Sequence, residues 1–205
     1  MHTLFISGSL SVKRLPLKVE KAINSTMQNK YHIVLGDARG ADNRVQTYLK
    51  RQDYDKVTVY YIRKEPRYYL NNLWKKNRVP IDETDDKLFK NGRYTQKAQM
   101  QKDFQMCLVA TSGLVVWNDI GKNRFGREVV SKGSLNNIVN LLSQNKPVGI
   151  YYVPKPDEGL IKVRNISEFE NKVINRLVAP QTKKYYYSEL TKNYKKSDQL
   201  SLKLY

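Results

Sequence analysis

The residues Gly36-Asp37-Ala38-Arg39-Gly40-Ala41-Asp42 gather two glycines, two acids and an arginine directly after the apolar run Ile33-Val34-Leu35. That order reads as a buried strand entering a glycine-paired turn and then a helix that starts near Ala41 or Asp42. The chemistry open to such a turn is anion binding. Glycines let the backbone approach a ligand closely, and the first-turn N–H groups and positive dipole end of the helix face whatever lies above them. Two more turns repeat the arrangement. Thr3 to Ile6 leads into Ser7-Gly8-Ser9, and Gly113 to Trp117 leads through Asn118 and a polar loop to Lys132-Gly133-Ser134, with a helix expected near Leu135. Gly8, Gly36 and Gly133 would admit phosphate oxygens to backbone N–H groups, while Ser9 and Ser134 would add hydroxyl hydrogen bonds.

Other residues near these turns carry alternatives. Trp117 either stacks a base at the pocket edge, the preferred reading because it ends an apolar strand, or packs in the core. Arg39 either pairs with phosphate or pins the turn through an ion pair, and Asp42 reads as a cap or turn stabiliser. Lys102 and Asp103 are helical neighbours pointing in different directions, so one of the two is expected to face the pocket. Asp37, Asp103 and Glu128 are the carboxylates available for bond cleavage. Lys122, Arg124 and Arg127, between and beside Gly121 and Gly126, form a loop that either clamps an anion or is simply solvated. His2 and His32 are too few to suggest a metal centre.

Positioning these residues requires a scaffold, and the hydrophobic pattern supplies one. Strands are expected at Thr3 to Ile6, Tyr31 to Leu35, Lys56 to Ile62, Gly113 to Trp117 and Pro147 to Val153. Helical spacing lies between them, marked by Leu17, Ile23 and Met27, by Val45 and Leu49, by Met100, Cys107 and Leu108, and by Ile138, Leu141 and Leu142. Alternating strands and helices predict an α/β fold: a Rossmann-like open, mostly parallel sheet with helices on both faces and ligands outside the carboxyl ends of its strands. The stretch from Arg63 to Gly92, charged and broken by Pro66 and Pro80, reads as an excursion whose Tyr68, Tyr69 and Trp74 either shape a lid or anchor a long loop. Beyond Val153 a helix capped by Ser167 and stopped by Pro180 is expected, then a basic segment rich in Tyr and Lys that is either a docked arm or a tail. The resulting division is 1–153 for the binding domain, 154–180 for a helical extension and 181–205 for the tail, which includes Lys195-Lys196.

Composition bounds the function classes. The 205 residues suit one sizeable core, and no apolar run approaches the ~20 residues of a membrane span. The first strand begins almost at Met1, which leaves no room for a signal peptide and predicts a cytoplasmic location. A single cysteine, Cys107, excludes an internal disulfide. Thirty-seven Lys and Arg against nineteen Asp and Glu give a net charge of +18, which favours anionic partners: nucleotides, nucleic acid or an acidic protein.

Taken in order, the turns resemble the SLOG superfamily of Rossmann-like nucleotide-binding proteins, and in particular its YspA-like branch. The similarity rests on Gly8-Ser9, on Gly36-Asp37-Ala38-Arg39-Gly40-Ala41-Asp42, on the Trp117-ended strand with Gly133-Ser134 beyond it, and on the polar, Met-containing helix around Gln101-Lys102-Asp103-Phe104-Gln105-Met106. It covers about Met1 to Val153. The loop from Trp117 to Gly133 is longer than in the compact family pattern, and Gly133-Ser134 lacks the Pro-Gly-Gly-x-Gly-Thr and downstream Glu of the phosphoribohydrolase branch. The resemblance implies a pocket for a nucleotide or nucleotide-derived signal of the NAD, ADP-ribose or cyclic-nucleotide type, with no further cofactor required.

Three functions fit these residues. The first is a non-catalytic module that senses or sequesters such a signal through Gly8, Ser9, Gly36, Asp37, Ala38, Arg39, Gly40, Lys102, Trp117, Asn118, Gly133 and Ser134. The second is a hydrolase of a nucleotide glycosidic or phosphate bond. The third is a nucleic-acid binder using the basic surface, because Gly36 to Asp42 also resembles the Rossmann-like domain of the DNA-processing protein DprA. A homo-oligomer is compatible with each, and no membrane partner is expected.

Overall fold

In the computed structural model, which describes residues 2–123 and 125–190, seven strands form one open sheet. Arg124 and the segment 191–205, with Lys195 and Lys196, lie outside the described residues. Strand β1 (Thr3–Gly8) lies between β2 (His32–Leu35) and β7 (Ser112–Trp117), parallel to both. From β2 the sheet continues through β3 (Val57–Tyr61) to the edge strand β4 (Lys75–Arg78). From β7 it continues the other way through β10 (Val148–Tyr152) to β11 (Leu160–Val163), the one antiparallel neighbour. The expected α/β, mostly parallel, Rossmann-like layout is therefore observed.

Alternation along the strands divides the core into two layers. Leu4, Ile6, Ile33 and Leu35 face α1 (Leu17–Gln28) and α2 (Ala41–Arg51). Phe5, Val34, Val115 and Trp117 face α3 (Gln96–Val109), α4 (Lys132–Ser143) and the short α5 (Ile166–Phe169). Burial on both faces explains why Ile33, Val34 and Leu35 are apolar in succession. Cys107 is buried in the second layer, and that burial pushes its thiol pKa up, so it packs as an inert apolar group.

Several expectations need correction. Trp117 is fully buried in the core, not at a pocket edge, with its ring against Tyr152 and Phe169. Helix α4 begins at Lys132 rather than near Leu135, so Gly133 and Ser134 belong to its first turn. The cap of α5 is Asn165, whose side chain accepts the Glu168 N–H at 2.8 Å; Ser167 lies inside the helix. A wider π-type turn, Glu170–Ile174, continues it. Pro180 opens α6 (Pro180–Tyr185) instead of ending a helix, a first-turn position at which the missing N–H is harmless. Beyond it Tyr186 and Leu190 are buried, so the described part of the C-terminal segment is docked.

Elements without an apolar pattern went unread. Strand β4 is Lys-Lys-Asn-Arg, exposed throughout, a charged edge of the kind that discourages pairing between molecules. Two small hairpins add β5 (Phe89–Lys90) with β6 (Arg93–Tyr94), and β8 (Ile120–Lys122) with β9 (Glu128–Val130). Positive φ at Asn91 and Gly92 makes the first an Asn-Gly hairpin turn. In the excursion Trp74 is buried and donates its ring N–H to the Tyr54 carbonyl at 2.7 Å, anchoring the loop on the sheet. No helix of the described residues is long and apolar enough to cross a membrane.

Glycine matters differently at two turns. A Cβ at Gly8 would collide with the Val116 carbonyl and lie 2.7 Å from the Ala41 Cβ, whereas one at Gly133 would meet open space. Gly8→Ala should therefore destabilise the chain by about 1–3 kcal/mol, and Gly133→Ala should stabilise it by about 0.5–1 kcal/mol through helix propensity. Urea midpoints at matched slopes check this, and equal shifts for the two variants would contradict it.

Candidate functional site

Strand β1 leads through α1 on one face of the sheet to β2, while β7 on its other side leads to α4 on the opposite face, so a crevice opens at the carboxyl ends of the strands. Its volume is about 440 Å³. Gly8, Ser9, Gly36, Ala38, Arg39, Lys102, Asp103, Asn118, Gly133 and Ser134 all line it. Asp37, Gly40, Trp117 and Glu128 do not. Glu128 is exposed on β9, and Gly40, with φ of +79°, is needed where the N-cap of α2 presses on the Leu10 backbone.

The turn from Gly36 to Asp42 is filled by the protein's own charges. Asp37 accepts the Arg67 backbone N–H at 3.0 Å and its guanidinium at 3.2 and 2.9 Å, and Lys102 Nζ lies 3.5 Å away. Burial alone would raise the Asp37 pKa, but the hydrogen bonds from Arg67 and the Lys102 charge hold it below the ordinary value. Asp42, in the first turn of α2, accepts the Ala38 N–H at 3.1 Å. Its carboxyl is therefore a turn stabiliser. A Cβ at Gly36 would collide with that carboxyl and lie 2.7 Å from Lys102 Nζ, so glycine there makes room for the charge cluster.

Lys102 and Asp103 both line the crevice, although adjacent helical residues were expected to diverge. Lys102 spans the gap as an ammonium 3.3 Å from Asp103 Oδ1 and 3.5 Å from Asp37 Oδ1. Burial would lower its pKa, but Asp103, Asp42 and Asp37 outweigh that and raise it. Two cations, Lys102 and Arg67, balance Asp37 and Asp103, leaving Asp42 as a third carboxyl in the same cluster. Burial, together with the Asp103 and Asp37 charges and against the pull of Lys102, pushes the Asp42 pKa up to about 7.

On the opposite wall Ser131, the N-cap residue of α4, makes no side-chain cap, and no other described residue is seen capping that helix. Its Gly133 and Ser134 N–H groups have no acceptor within the helix. Three hydroxyls gather there, with Ser9 Oγ 3.0 Å from Ser131 Oγ and 3.5 Å from Ser134 Oγ. The Ser9 hydroxyl also donates to the Asn118 carbonyl and accepts the Asn118 N–H, both at 2.9 Å, which ties the β1 and β7 turns together. Lys122 and Lys132 line this end, and Lys132 Nζ sits 4.5 Å from the centre of the Tyr185 ring.

Sequence reasoning missed Arg67, Ser131 and Asn137, all of which line the crevice. Asn137 was legible as the residue one helical turn after Gly133 and Ser134; Arg67 carried no signal within its charged loop. Tyr68 and Tyr69 do not line the crevice, and their neighbour Arg67 is the excursion's contribution. Among the described residues no group of His, Cys, Asp and Glu is placed to hold a metal ion. No protein-family model and no curated protein matches the chain.

The near-neutral Asp42 has a measurable signature. In the unfolded chain it ionises near 3.8 and in the folded chain near 7, so its effect on stability is most favourable below about pH 4 and is lost as pH rises to 7. Asp37, shifted downward, contributes stability above the ordinary carboxylate range and loses it as pH falls through acid values. Asp42→Asn keeps an acceptor for Ala38 and should gain stability relative to the parent between pH 4 and 7, by on the order of 4 kcal/mol. Denaturation curves that stay parallel across that range would contradict it.

Proposed function

We propose that this chain binds a nucleotide or nucleotide-derived signalling molecule, sensing or sequestering it in the crevice at the carboxyl ends of β1, β2 and β7. The observation that carries this reading is the junction of the uncapped α4 N-terminus with the Ser9, Ser131 and Ser134 hydroxyls, flanked by Lys122 and Lys132, at the switch point of an open parallel sheet. Backbone N–H groups, hydroxyls and ammonium groups together suit phosphate oxygens. The resemblance of the ordered turns to the YspA-like branch of the SLOG superfamily points to the same ligand class, of NAD, ADP-ribose or cyclic-nucleotide type. The phosphate belongs on the α4 side, since Asp37 and Asp42 already occupy the Gly36 turn.

A second reading, cleavage of a glycosidic or phosphate bond in the bound nucleotide, is favoured by Asp103, the one carboxylate of the three candidates that lines the crevice. Chromatography of nucleotides incubated with the protein separates the two, because sequestration returns the ligand intact.

Thermal shift with NAD, ADP-ribose and cyclic oligonucleotides tests the proposal. A binder at 100 times its Kd stabilises the fold by about 2.7 kcal/mol. Gly133→Val places a branched side chain in open space at the crevice wall, so the variant should fold and lose that stabilisation. Gly36→Val should lose fold stability as well, through the Asp42 and Lys102 cluster. An undiminished thermal shift in Gly133→Val would remove α4 from the site.

A further inference from the structure

The crevice has a floor whose chemistry differs from the α4 end. Ser7 follows Phe5 by two residues on β1, so both face the layer covered by α3 and α4, and both line the crevice. Ser7 is 5% exposed, and its Oγ has no hydrogen-bond partner among the described residues. An orphaned buried hydroxyl is uncommon, because its desolvation goes uncompensated.

Ser7 follows Ile6, which pairs with Leu35, so it lies beside Gly36, where a Cβ would stand 2.7 Å from Lys102 Nζ; Lys102 and its neighbour Asp103 are incompletely satisfied as well. The Lys102 ammonium is buried, yet its distances to Asp103 and Asp37, 3.3 and 3.5 Å, exceed the length of a charge-assisted hydrogen bond. The Asp103 carboxylate has Lys102 at 3.3 Å and the Asn137 amide at 3.4 Å, both long, which leaves acceptor capacity toward the crevice.

The signs of these groups select what can sit among them. A phosphate would meet Asp103 with Asp37 and Asp42 behind it, and a cation would meet Lys102 and Arg67. An apolar group would leave the Ser7 hydroxyl and the Asp103 oxygens unpaired. A neutral vicinal diol satisfies all three, since each hydroxyl donates to a carboxylate while its oxygen accepts from an ammonium or hydroxyl. Phe5 and Met106, which also line the crevice, offer apolar contact to the carbon face of a sugar ring.

We propose that Ser7, Lys102 and Asp103 form a ribose subsite, in which the sugar's 2′- and 3′-hydroxyls bind at the crevice floor while its phosphate lies at the N-terminus of α4. This deepens the nucleotide-binding reading and rests on it. The ligand class is a ribonucleotide or phosphorylated ribose with both hydroxyls free.

Calorimetry on the full chain with ADP, 2′,3′-dideoxy-ADP and ribose 5-phosphate tests the subsite. ADP should bind roughly 10–100-fold more tightly than its dideoxy analogue. Asp103→Asn should erase most of that preference by weakening ADP alone. Ser7→Ala should weaken ADP by about 5-fold without lowering the unfolding midpoint, because a structural hydroxyl would be missed by the fold and an orphaned one is not. Equal affinity for ADP and the dideoxy analogue would overturn the ribose subsite and leave phosphate binding standing, with the base or phosphate carrying recognition. Failure of all three compounds to bind would overturn both readings.

Discussion

Buried charge is the constraint on which the crevice depends. Five ionisable groups from four segments meet behind the β2 turn: Asp37 from the turn, Asp42 from α2, Lys102 and Asp103 from α3, and Arg67 from the excursion. None is stable there alone, since breaking a buried pair leaves an uncompensated charge. The excursion is thereby held by a backbone N–H and two guanidinium nitrogens on one carboxylate, and α3 is held by an ammonium shared between two acids. The odd carboxyl, Asp42, resolves the imbalance by retaining its proton toward neutral pH. The two walls of the crevice thus differ, with the protein's own acids paired on one and the first turn of α4 with its serine hydroxyls on the other.

This division explains what the sequence did and did not disclose. The glycine spacing from Gly36 to Asp42 marked a turn that does border the crevice, because a strand entering a tight turn before a helix needs those glycines whatever the turn contains. The spacing does not say whether the anion is a ligand or a side chain. The clue lay in Asp37 and Asp42 themselves, two acids placed where α2 presents its N–H groups. Trp117 was misread for another reason. Its neighbour Phe169 belongs to a helix more than fifty residues later, and nothing local announces that this helix returns to cover the end of β7.

The alternation of strands and helices was legible because apolar periodicity follows from burial, and it gave the sheet, its direction and the location of the crevice. Elements held by pairing at the surface were not. Strand β4 has no buried residue, and the hairpin from Ile120 to Val130 is three residues a side. That hairpin nevertheless contributes Gly121, Lys122, Val129 and Val130 to the crevice, so a peripheral element shapes the part of the site with the weakest sequence signal. Polar side chains reaching across the fold, Arg67 above all, lie beyond any local pattern.

The central position of β1 also bears on how the chain reaches its native state. Its register with β7 runs from Leu4 opposite Ser112 to Gly8 opposite Val116, and the Thr3 to Thr111 contact beside it spans 108 residues. During synthesis β1 emerges first, so β2, β3 and β4 can assemble on one side of it long before β7 exists. Until then the strand that ends up in the middle is an edge, with Phe5 and Val34 uncovered by α3 and α4. Closing so long a loop is an entropic barrier to be crossed before the pairing rewards it, and contacts this distant in sequence slow folding. The seam between β1 and β7 that opens the crevice in the finished molecule is therefore the seam that the nascent chain must leave unzipped the longest.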